Sequence, residues 1–185
     1  MPLIPFADID ALPVKAREAF DRLPRKLNIF RLWANAPACF RQGLRLGGAI
    51  LGQQKLSAQL RELVILLTAQ EDGGAYEWHQ HVPIALAVGL TQDQIDALER
   101  KDYGAACFDR KTRLALRFAS EVRSKVRASE QALVAAQAEF SPQELVEIIL
   151  TVGFYMTMAR LTETARVELD AAGGTAVLAG LTRES

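Results

Sequence analysis

Apolar residues recur three and four apart along almost all of this chain, and no stretch alternates hydrophobic with polar as a half-buried strand does. Leu60, Leu63, Val64 and Leu67 show the spacing, as do Leu114, Phe118, Ala119 and Val122. Stripes of this period are buried only by packing helix on helix. The expected fold is an all-α, single-domain bundle of about eight helices. Its 185 residues suffice for one core without covalent staples.

Turn and cap residues divide the pattern. Pro2, Pro5 and Pro13 forbid an early helix, so residues 1–12 read as an extended arm before a helix that stops ahead of Pro24. The chain thus divides into an arm and first helix (1–27), a helical domain (28–170) and a C-terminal tail (171–185). A helix over 37–51 contains Gly43, Gly47 and Gly48, which suggests close approach of another backbone. Ser57 caps the next helix, and Asp72-Gly73-Gly74 ends it. Thr91 with Gln94 forms a capping box, and Ser141-Pro142-Gln143-Glu144 opens a helix running to about Arg160.

Charge excludes some partners. Lys plus Arg and Asp plus Glu both total 22, so no net field draws nucleic acid or an anionic membrane. The basic cluster Arg22, Arg25, Lys26 and Arg31 reads as a solvated face. Cys39 and Cys107 lie far apart, form no metal-ligand spacing and are expected to be buried free thiols in a reducing compartment. The N-terminus lacks a secretory pattern, and the apolar run from Leu145 to Ala159 is short for a bilayer and contains Glu147. A cytoplasmic protein is expected.

Chemistry near neutral pH has few candidates, because the only histidines are His79 and His81. Glu77 and His81 are four apart, on one face of a helix, a minimal acid–base unit that also occurs on ordinary surface helices. The break before them is short, so the preceding helix should run antiparallel and carry Glu62 towards them. Glu62 otherwise bonds Arg61 or Arg160, or points to solvent. His79 should point away, to the surface or a subunit contact.

The segments RELVILLTAQ and AYEWHQHVPIALAVGL, followed by a capped helix ending in ARLTETARVELD, resemble the carboxymuconolactone decarboxylase family, which contains the alkylhydroperoxidase D-like proteins. The resemblance covers roughly residues 28–170 and is densest over Arg61–Leu90. In the family's peroxidase branch, a CxxC pair precedes the histidine. Those cysteine positions fall here on Gly74 and Glu77, and the branch's relay glutamate falls on Glu62. Both thiols are missing, so thiol peroxidase activity is not expected.

The resemblance to the decarboxylase branch implies loss of carbon dioxide from a small unsaturated lactone or keto acid, in aromatic-compound breakdown, without metal or organic cofactor. His81 would donate the proton, Glu77 would orient it, and Glu62 would complete the relay or hold a water. Tyr76, Trp78 and Trp33 would shape the pocket, although aromatics on such helices also serve as core. Two carboxylates at the histidine repel an anionic substrate, so a cation is needed, with Arg61, Arg113 or Arg160 the candidates. The family further implies a homo-oligomer, a trimer or hexamer. The alternatives are a lactone hydrolase or isomerase using the same pair, or a non-enzymatic helical oligomer with no cavity.

Overall fold

Side-chain caps set five of the helix N-termini among the described residues. In the computed structural model, which describes residues 2–174, the described residues form nine helices. They are α1 (Val14–Asp21), α2 (Asn28–Trp33), α3 (Pro37–Gly52), α4 (Ala58–Asp72), α5 (Ala75–Ala87), α6 (Gln92–Glu99), α7 (Arg110–Lys125), α8 (Glu130–Gln137) and α9 (Pro142–Ala165). The fold is all-α. Ser57, Asp109 and Ser129 each accept from the backbone N–H three residues on, and both expected capping boxes are complete. Most of the tail, including Gly180, lies outside the described residues.

The central helix is α4. Every residue from Arg61 to Ala69 is buried, because α5, α7 and α9 surround it. Leu63, Leu66 and Leu67 meet Phe108, Leu116, Phe118 and Ile148 in the main core. The N-terminal arm is bound to the helical body: Leu3 N–H donates to Ala165 O at 2.7 Å, and Ala7 N–H to Arg31 O at 3.0 Å. Phe20 of α1 packs with Ala34 and Phe40.

Three expectations change. The long C-terminal helix continues past Arg160 to Ala165, and its 24 residues are long and apolar enough, by length and composition, to cross a membrane. Half of its most apolar stretch is buried within the bundle instead. Aromatic side chains, and not a backbone, press on the α3 glycines. A Cβ on Gly43 would lie 2.0 Å from the Trp33 ring, and one on Gly47 would lie 2.9 Å from Phe154. Finally, Cys39 is exposed and Cys107 half-buried, so neither is a core thiol.

Candidate active site

The α4–α5 connection builds the site. Gly73 takes the left-handed conformation, φ 70°, that ends α4, and Gly74 starts α5 one residue later. So short a turn makes the helices antiparallel and brings Glu62 opposite His81. The Glu62 carboxylate is fully buried, and its Oε2 lies 2.8 Å from His81 Nδ1. Its other oxygen accepts from Arg61 Nε at 3.3 Å. The two partnerships left open by the sequence, arginine and histidine, therefore coexist.

Glu77 stands one turn before His81, 3 % exposed, yet Glu62 and not Glu77 holds the imidazole. Glu77 turns to α9, where Thr162 Oγ1 lies 3.1 and 3.2 Å from its oxygens. Burial raises its carboxyl from the usual 4.5 to about 7, against the opposing pull of its own backbone N–H, Thr162 and His81. Thr162 Oγ1 also lies 3.2 Å from Met158 O. A protonated Glu77 donates to Thr162 while that hydroxyl donates to Met158, so the surroundings accept a neutral acid. Gly74 makes room for it: a Cβ there would lie 2.9 Å from both Glu77 Oε2 and the Ala159 methyl. Packing therefore leaves no room for a larger side chain at position 74.

Glu77 and His81 line a cavity of about 670 Å³ between α2, α3, α5 and α9. Trp33, Phe30 and Phe154 form an aromatic section, with Tyr76 and Tyr155 nearer the histidine. The Tyr155 ring stands at 89° to the imidazole, 4.9 Å between centroids. Arg22, Arg25, Arg41 and Arg45 also line the cavity, and Arg41 and Arg45 make no ion pair among the described residues.

Several expected members lie elsewhere. Trp78 packs against the main core. Arg160 binds Asp72 Oδ2 at 2.6 Å, and Arg113 donates to Phe108 O at 2.6 Å. Arg61 touches Glu62 but does not line the cavity. Two of the cavity's arginines come instead from α3 and two from the supposed solvated cluster, which divides. Arg22 and Arg25 border the cavity, Lys26 caps the carbonyls of Phe20, Asp21 and Leu23, and Arg31 covers the Phe6 ring. His79 is half-buried, and its Nε2 bonds Asp170 O at 3.0 Å. Asp170 also accepts from Asn28 N–H at 2.7 Å and from the Tyr76 hydroxyl, fastening residues after α9 across α2 and α5. Sequence reasoning missed Thr162, Tyr155, Arg41, Arg45 and Asp170.

Residues 37–121 match the profile of the Carboxymuconolactone decarboxylase family. No curated protein matches the chain significantly. A solved peroxidase-related protein from Ralstonia eutropha JMP134, with an alkylhydroperoxidase AhpD core, is 21 % identical, covers 91 % of this chain and 92 % of its own, and has a TM-score of 0.77. A putative antioxidant defence protein from Agrobacterium tumefaciens is 22 % identical, covers 75 % of this chain and 95 % of its own, with a TM-score of 0.67. The debrominase Bmp8, solved as a cysteine-to-alanine variant with 2,3,4-tribromopyrrole, is 16 % identical, covers 97 % of this chain and 95 % of its own, with a TM-score of 0.73. At these identities the likeness establishes a common helical fold.

Proposed function

We propose that the chain is a carboxymuconolactone decarboxylase-like member of the alkylhydroperoxidase D-like proteins and works as a cofactor-independent, decarboxylase-like lyase on a small unsaturated lactone or keto acid. The observation that carries this reading is the His81 imidazole, held by Glu62 on the wall of a cavity it shares with a carboxyl that titrates near neutrality. When the bond to the substrate's carboxylate breaks, carbon dioxide leaves and the electron pair moves onto the conjugated carbonyl. His81 then delivers a proton to carbon from Nε2, since Nδ1 is engaged with Glu62. Glu77, able to hold a proton at neutral pH, resupplies it.

Charge supports the same reading. Each carboxylate disfavours an anion 4–8 Å away by about 2–4 kcal/mol at an effective dielectric near 20, and each arginine offsets a similar amount. Arg41 and Arg45 line the cavity without an ion pair among the described residues, and they are the cations we assign to an acidic substrate. Thiol chemistry lacks support, because neither Cys39 nor Cys107 lines the cavity. We also propose a homo-oligomer, trimer or hexamer, on the strength of the exposed Val146, Ile149 and Leu150 on α9.

The test is a screen of unsaturated lactone and keto acids for carbon dioxide release, beside a thiol-dependent peroxide assay expected to be negative. His81→Ala should lower turnover per folded molecule by about 10²–10⁴-fold. A His81→Ala variant with full activity overturns the assignment.

A further inference from the structure

Two tyrosines line the cavity, and they differ in one respect. Tyr76 is 2 % exposed with its hydroxyl engaged twice, accepting from Ile29 N–H at 3.4 Å and donating to Asp170. Tyr155 is 4 % exposed, and its hydroxyl has no hydrogen-bond partner among the described residues. Buried phenols ordinarily find a partner, and one left open beside a void is a donor waiting for a ligand. A third tyrosine, Tyr103, also has an unpartnered hydroxyl, but it packs with the main core, outside this cavity. The perpendicular stacking of Tyr155 on His81 puts both rings on one wall.

We propose that the Tyr155 hydroxyl is a further catalytic residue, the hydrogen-bond donor to the carbonyl oxygen of a conjugated substrate. The inference rests on the lyase reading above. As the carbon–carboxylate bond breaks, the electron pair passes through the double bond to that oxygen, which becomes an enolate oxygen, and carbon dioxide departs. The Tyr155 O–H then bonds an anion where it first met a neutral carbonyl, and the contact strengthens as charge develops. The pair returns to carbon as His81's proton forms the new C–H bond. No oxidant or reductant enters. Burial, with the nearby charge of Glu62, pushes the phenol well above its usual 10, so Tyr155 stays an O–H donor throughout.

Tyr155→Phe removes the hydroxyl and keeps the ring. The probe is 4-nitrophenolate, an aromatic stand-in for the enolate, with 4-nitroanisole as a partner of the same shape that carries no charge on oxygen. Quenching of Trp33, which lines the cavity, reports binding of both. The expected result is an affinity for 4-nitrophenolate about 10–100-fold lower in Tyr155→Phe, with 4-nitroanisole bound equally by both proteins. Equal phenolate affinity, or no phenolate binding to the unaltered protein, overturns the proposal. With a substrate from the screen, kcat should fall by a similar factor while KM holds, whereas a merely structural tyrosine would lower the thermal midpoint and 4-nitroanisole affinity instead. The two readings fail separately. Turnover lost in His81→Ala with phenolate binding indifferent to Tyr155 removes only the tyrosine's role. A phenolate preference that depends on Tyr155, in a protein that decarboxylates nothing, supports the donor and removes the lyase.

Discussion

Helix α4 carries buried acids at both ends, and the two ends are built differently. At its C-terminal end Asp72 is met on both oxygens, by Arg123 Nε at 2.5 Å and Arg160 Nη1 at 2.6 Å. Beside it, Glu71 accepts from Ser120 Oγ at 2.6 Å, and its carbonyl accepts from Arg123 Nη2 at 2.8 Å. Two carboxylates face two guanidiniums, and the cluster ties α4 to α7 and α9. Beside the cavity, Glu62 near the other end of α4 and Glu77 on the first turn of α5 have one guanidinium, a threonine and an imidazole between them. Arginine never gives up its proton, so the cations of the first cluster keep their charge at any ordinary pH. The second contains an imidazole and a near-neutral carboxyl, both able to exchange protons. Matched charge holds helices together; unmatched charge at a void is what acid–base chemistry requires.

The sharpest way to break this contrast is to remove Arg123. Arg123→Ala leaves Asp72 with Arg160 and Glu71 with Ser120, both acids still largely buried and short of one cation, and should cost about 3 kcal/mol of stability. The urea midpoint falls, while turnover per folded molecule holds. His81→Ala also leaves a buried acid, Glu62, short of a partner, but it should lose turnover per folded molecule as well; if Arg123→Ala loses turnover per folded molecule too, the two ends do not differ in kind.

The next effect is smaller and depends on pH. Below about 4.5 Glu77 is protonated whether the chain is folded or not, and its burial costs nothing. As pH rises, the unfolded chain ionises first and the folded one only near 7, so stability falls across that window and stays lowered above it. The full penalty is about 3 kcal/mol from the displacement of the titration. Glu77→Gln removes it and should raise stability by about 2 kcal/mol at pH 8, allowing about 1 kcal/mol for a poorer fit to Thr162, and should lower it by about that 1 kcal/mol at pH 4.5. Thermal unfolding at both values checks it. An equal effect at the two values would mean that Glu77 titrates normally.

How much of this was legible in the sequence follows from the range over which each residue acts. Caps are local: Ser57, Thr91 with Gln94, and Ser141 with Glu144 bond within three residues, so a short window contains the whole interaction. The Glu62–His81 contact was legible because a two-glycine turn fixes how its helices meet. Thr162 to Glu77 spans 85 residues, and Asn28 to Asp170 spans 142, and no spacing rule reaches so far. Arg41 and Arg45 were hidden differently. Their one-turn spacing on α3 was visible, but the cavity they border exists only once Trp33 and Phe154 have packed against that helix's glycines.

Arg160 supplies the smallest and most discriminating prediction. Its spacing made it a candidate for the cavity, and its contacts place it in the Asp72 cluster. Its side chain is 59 % exposed, and solvent screens much of its attraction to Asp72, which keeps Arg123 in any case. Arg160→Ala should therefore cost only about 0.5 kcal/mol. Turnover on any lactone acid, and quenching of Trp33 by 4-nitrophenolate, should be unchanged, because the guanidinium borders neither His81 nor the void. A loss of turnover without loss of stability would carry Arg160 into the catalytic group, and the separation of the two ends of α4 would not survive it.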